Sequence, residues 1–259
     1  MSGLRYVYGI VPATAAAAVD GARIRGIDGA AVDALVEGPF AAAESDLDAE
    51  GYGTDVLNQK IRDMEWLTPR AEAHQAVNSR LLDVAGVVLP LSFGAIYRDE
   101  TRVREMLRED VEPRQERLRD LSGKAEWVVT VLRERDRVPG AEGDLRALED
   151  EIATSAPGRG YLLEKRRTSV ATAAAERADA EAARRALEVL AEAGERTYRE
   201  PVATGGADVV VVRVSLLAPV TRAASVGDAI TALDRELVAE GYRVRSNGPW
   251  PAYRFGSLS

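Results

Sequence analysis

Between Arg159 and Ala193 the sequence is dominated by Ala, Glu and Arg and contains no proline. These residues lose little conformational freedom in a helix, so the stretch reads as one long helix closed at Gly194. Its Ala-rich side permits close approach of another backbone, which suits a helix lying on a sheet. The flanking segments read as strands. Ala125 to Leu132 (AEWVVTVL) is a buried strand, and Tyr198 to Ala203 with Asp208 to Leu217 forms a hairpin around Gly205-Gly206. Ser225-x-x-Asp228 opens a second helix in the manner of a capping box, and its apolar positions Val226, Ile230, Leu233 and Leu237 run until Gly241. Tyr242 to Arg245 begins a last strand. The order β-α-β-β-α-β is the split pattern of a ferredoxin-like domain.

The front of the chain follows a different plan. Leu4 to Val11 is rich in aromatic and β-branched residues and stops at Pro12, as a strand does. Ala31 to Val36 and Phe40 to Leu47 form a hairpin about Glu37-Gly38-Pro39. Thr68-Pro69 supplies an N-cap with proline at the first helical position, and Ala73, Val77, Leu81 and Val84 continue that helix to Gly86. Val87 to Phe93 resumes a strand, Gly94 allows a bend, and Asp99-Glu100 opens a helix with apolar positions Val103, Met106 and Leu107. Pro113 separates it from another helix reaching Leu121. Ser122-Gly123 marks the boundary. The expected architecture is α+β, an N-terminal α+β domain over residues 1–122 and a modified ferredoxin-like domain over residues 123–259. The second domain carries a charged, solvated excursion at 133–158 and an aromatic C-terminal segment.

A chain of 259 residues accommodates two such domains, and 46% hydrophobic against 29% charged residues is enough apolar material to fold. The absence of cysteine removes disulfides, thiolate nucleophiles and zinc–thiolate sites, and is compatible with a cytoplasmic protein. The net charge is −8, and residues 1–57 hold three Arg against nine Asp and Glu. Nucleic acid and anionic membrane surfaces are therefore poor partners. Arg5 followed by YVYGIVPATA loosely mimics an export signal, but Gly9 and Pro12 interrupt the apolar run, and a first strand is the better reading. No apolar run approaches the ~18 residues needed to span a bilayer, so a soluble protein is expected.

Catalytic constellations are absent from the sequence. His74 is the single histidine and has no visible nucleophile or metal partner, which favours a hydrogen-bonded boundary residue. Gly158-Arg159-Gly160 lacks the third glycine of a dinucleotide loop and reads as the entry to the long helix. The carboxylate runs Asp99/Glu100 and Glu149/Asp150/Glu151 read as helix-start charges or solvated faces, and Lys165-Arg166-Arg167 as a surface feature of an acidic protein. Trp250, Tyr253 and Phe255 crowd into NGPWPAYRF in a chain with only 5% aromatics. Such a cluster, braced by Pro249 and Pro251, suits docking either within the chain or onto a partner.

Six segments together resemble the GvpF/GvpL family of gas vesicle proteins. They are YVYGIV (6–11), VLPLSFGAIY with DETRVREML (88–107), LSGKAEWVV (121–129), GYLLEKRR (160–167), LLAPV (216–220) and GPWPAYRF (248–255). The resemblance covers nearly the whole chain and does not separate F-type from L-type. It implies a non-enzymatic accessory or minor structural protein of gas vesicle assembly, without cofactor or small-molecule substrate, cytoplasmic and associated with the vesicles. Its implied partners are the main shell protein GvpA and other vesicle proteins. Phe93, Ile96 and Tyr97 in the first domain, and Trp250 and Tyr253 in the second, are the expected contact residues. Leu89, Leu91 and Phe93 are also read as members of a buried strand. Two other readings are a ferredoxin-like small-ligand or regulatory module, which needs an apolar pocket, and a carboxylate enzyme using a divalent metal.

Overall fold

Two separate sheets organise the computed structural model, which describes residues 3–60, 62–135, 137–202, 205 and 207–256. The chain divides into one unit of Met1–Glu126 with Pro249–Ser259 and another of Trp127–Gly248. The aromatic C-terminal segment thus groups with the first unit.

In the first unit, β1 (Leu4–Pro12) is the strand onto which the others assemble, and it is followed by α1 (Ala16–Gly21). β2 (Asp33–Glu37) and β3 (Phe40–Leu47) form the expected hairpin, and Gly38 at φ +55° takes the left-handed turn conformation that glycine accepts at least cost. β3 pairs antiparallel with β1 from Leu4↔Leu47 to Pro12↔Phe40, with a bulge between Val7 and Gly9. Two short helices, α2 (Ala49–Tyr52) and α3 (Thr54–Lys60), lead to α4 (Met64–Ala85). This helix begins earlier than Thr68-Pro69 suggested. The Asp63 side chain caps it by accepting from Glu65 N at 3.0 Å and Trp66 N at 3.3 Å, and Pro69 lies in the second turn, where its ring removes a single ladder bond. α4 and α1 cover one face of the sheet, burying Tyr6, Tyr8, Ala41 and Ala43 with Val19, Val77 and Leu81.

The apolar segment after α4 makes two short edge pairings rather than one strand. β4 (Leu89–Pro90) and β5 (Ile96–Tyr97) both pair with β1, giving a sheet of order β2-β3-β1-β4 with β5 also on β1. α5 (Glu100–Arg108) is capped by Asp99, whose carboxylate accepts from Arg102 N at 2.9 Å, and it packs on β1, β2, β3 and β5 through Val103 and Leu107. The break before α6 (Val111–Leu121) falls at Asp110, at φ +48°, and Pro113 occupies the first turn of α6.

The second unit holds β6 (Lys124–Glu134), α7 (Glu142–Ala153), α8 (Pro157–Ala193), β7 (Arg196–Arg199), β8 (Asp208–Pro219), α9 (Ala223–Ala239) and β9 (Tyr242–Trp250), in a sheet of order β7-β8-β6-β9. α8 is the expected long helix, and most of its buried residues belong to the alanine face, among them Ala174, Ala182, Ala183 and Ala186 with Leu190. The stretch expected to be a solvated excursion contains α7. Leu145, Leu148 and Ile152 recur there at helical spacing and turn their half-buried sides to α8. Ala203 of the expected hairpin strand and Gly206 of its turn lie outside the described residues. After β9, α10 (Tyr253–Gly256) packs on β4 and α6 in the first unit.

Candidate interaction surface

The loop joining β4 to β5, residues 91–95, is fastened to β1 at three points. Leu91 N donates to Tyr8 O and Val7 N to Ala95 O, both at 2.9 Å, and Gly94 N donates to the Tyr6 hydroxyl at 3.0 Å. The Tyr6 hydroxyl also bonds His74 Nδ1 at 2.9 Å, and Asn78 Nδ2 lies 3.1 Å from His74 Nε2 while donating to Tyr8 O at 3.1 Å. Tyr8 extends the network by bonding Ser45 Oγ at 2.9 Å and accepting from Ile27 N at 2.9 Å. Alternation along β1 places Tyr6 and Tyr8 on one face, and the four-residue step from His74 to Asn78 does the same on α4. Burial lowers the pKa of His74, with the Leu91 backbone opposing, and raises those of Tyr6 and Tyr8. The ring is thus held neutral as a structural bridge; it is hydrogen-bonded as the sequence reading expects, but it is buried, at 4% exposure, and not at a boundary.

Phe93 stands at the tip of this fastened loop. Its ring lies 5.8 Å from His74, edge on, and 6.3 Å from Tyr6, yet 40% of the residue is exposed. Leu89 is buried as expected of a strand residue, Leu91 is half-buried, and Phe93 is presented to solvent. Ile96 and Tyr97 are consecutive in β5 and therefore point to opposite faces. Ile96 pairs with Tyr6 and packs against the core on the α4 side. Tyr97 is half-buried where β5 meets α5; burial raises its pKa, partly offset by Arg114.

The C-terminal residues reach the same neighbourhood from another direction. Tyr253 opens α10 half-buried, its hydroxyl interacting with Asn78, and burial pushes its pKa up to about 12. Arg254 N donates to Glu126 Oε2 at 2.8 Å, and Arg117 Nη1 donates to Phe255 O at 2.5 Å. Trp250, half-buried, closes β9 just before the buried Ala252. The fold therefore brings Phe93, Ile96 and Tyr253 around the Tyr6–His74–Asn78 network and sends Tyr97 to the other face. That network went unrecognised in the sequence, where the tyrosines two apart in a strand and the polar residues four apart in a helix were its only signals.

Beneath α5 lies a charged group of a different kind. Glu44 is only 4% exposed; burial pushes its pKa up to about 7, with Arg5 opposing and Glu100 and Asp46 adding to the rise. Arg5 is shared between Glu44 at 3.7 Å, Asp46 at 2.7 Å and Glu100 at 2.8 Å. In the first unit an open cleft of about 440 Å³ is lined by Pro12, Pro39, Phe40, Val87 and Leu118 with Gln115, Arg119 and Ser122. Clefts of the second unit are lined largely by charged residues, among them Glu149, Glu164, Arg137, Arg146 and Arg167. Among the described residues no group of three His, Asp or Glu is placed to hold a metal ion, and no helix is long and apolar enough to cross a membrane.

These features define a class: a two-sheet α+β protein whose most distinctive surface is an anchored, apolar loop. The chain belongs to the GvpL/GvpF family, since the family model described as "Gas vesicle synthesis protein GvpL/GvpF" matches residues 4–257. Members of this family are structural and assembly proteins of gas vesicles, not enzymes. The chain is 30% identical to gas vesicle protein L of Streptomyces sp. (strain CB03234), over 99% of this chain and 94% of that protein. It is 27% identical to gas vesicle protein L2 of Halobacterium salinarum, over 98% and 92% of the two. Its fold is similar to those of GvpF from Anabaena sp. PCC7120, with a TM-score of 0.76 at 18% identity, and of GvpF from Microcystis aeruginosa, with 0.70 at 17%. Both likenesses cover the whole of each chain.

Proposed function

We propose that this protein is a cytoplasmic, vesicle-associated accessory or minor structural protein that binds the main shell protein GvpA and other vesicle proteins during assembly. The observation that carries the reading is the Phe93 loop, which lies within a chain matched by the family model almost end to end. A large apolar side chain 40% exposed on a loop fastened at three points loses little conformational freedom on binding, the property of an interface anchor. Phe93 is the principal contact, Ile96 and Tyr253 set its base, and Tyr97, on the opposite face of the sheet, and Trp250 are further contacts.

A shell subunit that is apolar and β-rich is prone to aggregate before it is assembled. An acidic protein that covers its apolar surface keeps it available for addition to the growing shell. Nucleic acid, membrane and small molecules have no part in this reading. The order β7-β8-β6-β9 places the first and third strands of the second unit at the centre, which supports its assignment as a modified ferredoxin-like domain. A small-ligand role for that domain is less well supported, because its clefts are lined by charged side chains, with Arg167 bonded to Glu149 across them. Co-expression with the shell protein tests the proposal: the wild type yields a soluble complex and Phe93→Ala a weaker one. No complex with the folded wild type would refute it.

A further inference from the structure

The helix start GYLLEKRR leaves one side of α8 uncovered. Tyr161 is 66% and Leu162 65% exposed, while Leu163 turns inward and is 8% exposed. One helical turn on, Lys165 and Arg166 are exposed and have no carboxylate partner among the described residues. Their flanking arginines do have partners: Arg159 donates to Glu151 at 2.6 Å and Arg167 Nε to Glu149 at 3.0 Å. α7 carries the opposite arrangement. Asp144 and Asp150 are exposed on either side of Ala147, and neither has a cationic partner among the described residues. Arg146 instead lines the cleft formed with Glu142, Glu149 and Arg167. The Glu149–Arg167 and Glu151–Arg159 pairs set α7 and α8 antiparallel, so that the span from Asp144 to Asp150 runs alongside the level of Lys165 and Arg166.

We propose that this face is an interface between two copies of the chain. The α7–α8 hairpin packs on its two-fold equivalent, Lys165 and Arg166 of one copy meet Asp144 and Asp150 of the other, and Tyr161 and Leu162 fill the seam. A two-fold interface is self-complementary, and this hairpin bears both members of each charge pair next to apolar residues that water otherwise covers. A foreign acidic helix satisfies the cations and leaves the two aspartates unpaired. An anionic bilayer is disfavoured by the net charge of −8 and by the carboxylates of α7 beside the patch.

Sedimentation velocity of the full chain tests this between about 1 and 100 µM, at ionic strengths from about 0.05 to 0.5 M, where screening changes most. The expected result is a concentration-dependent dimer that weakens with salt. Lys165→Glu with Arg166→Glu, or Asp144→Lys with Asp150→Lys, each weakens dimerisation by about tenfold or more, and an equimolar mixture of the two double variants restores it. Tyr161→Ser with Leu162→Ser weakens it as well, and unchanged circular dichroism melts establish that each variant is folded. A wild type that stays monomeric throughout, a dimer that folded variants leave unchanged, or a mixture that fails to reassociate would overturn the proposal. So would a monomer that floats with phosphatidylserine vesicles through these same residues. None of these outcomes depends on the assembly role proposed above.

Discussion

Glu44 and Gly9 show how closely the first sheet is fitted at the level of single residues. The folded pKa of Glu44 lies at about 7, above its ordinary 4.5, because burial disfavours the carboxylate more than Arg5 restores it. A raised acid contributes stability that is complete below pH 4.5 and is lost as pH rises through 7. Glu44→Gln removes that loss, so the variant should gain on the wild type with rising pH and exceed it by about 3 kcal/mol at about pH 8. Urea unfolding of both proteins from acid to mild alkali measures the difference, and a difference independent of pH would be the contrary result. At Gly9, beside the bulge of β1, an added Cβ would stand 2.7 Å from both Asn78 Oδ1 and Val88 Cγ2 and 3.0 Å from Leu89 O. Gly9→Ala should therefore cost about 2 kcal/mol of stability, read from the same unfolding curves, and should loosen the 91–95 loop that depends on this stretch.

At the level of elements, the second unit is pinned where three of them meet. Arg133 in β6 makes a two-pronged contact with Asp179 of α8, at 2.7 and 3.0 Å, and the Tyr242 hydroxyl of β9 donates to Asp179 Oδ1 at 3.2 Å. Arg133 also donates to Arg137 O at 2.6 Å. Removing Asp179 leaves a guanidinium buried without its counter-charge, so Asp179→Ala should destabilise the unit by about 3 kcal/mol; a change below 1 kcal/mol in chemical unfolding would contradict this. Helices and strands with strong periodicity are legible in the sequence: α8 from its composition, α9 from its stripe, the β2–β3 hairpin from Glu37-Gly38-Pro39. Less legible were elements whose signal competed with another. The start of α4 was hidden because Pro69 looks like a first helical residue, and only the Asp63 cap shows otherwise. α7 was hidden by its charge and by the glycines and prolines around it. Arg133, at the head of that charged stretch, looked solvent-facing, and nothing local in the sequence discloses a partner on α8.

At the level of the whole molecule, the family match spans residues 4–257, yet it does not by itself define the site. Phe93, Ile96, Tyr97, Trp250 and Tyr253 are aromatic and apolar residues within family segments. Their arrangement depends on which strand face each occupies and on the return of the C-terminal residues to the first unit, and neither is written in local sequence. In its proposed role this chain is needed to build gas vesicles and acts through protein contacts made by those residues. The most direct measurement is the yield of buoyant vesicles in cells lacking the gene, complemented with the wild type or with alanine at those five positions. The proposed role predicts vesicles with the wild type, few or none without the chain, and few with the folded five-alanine variant. Normal vesicle numbers in the deletion strain would contradict it.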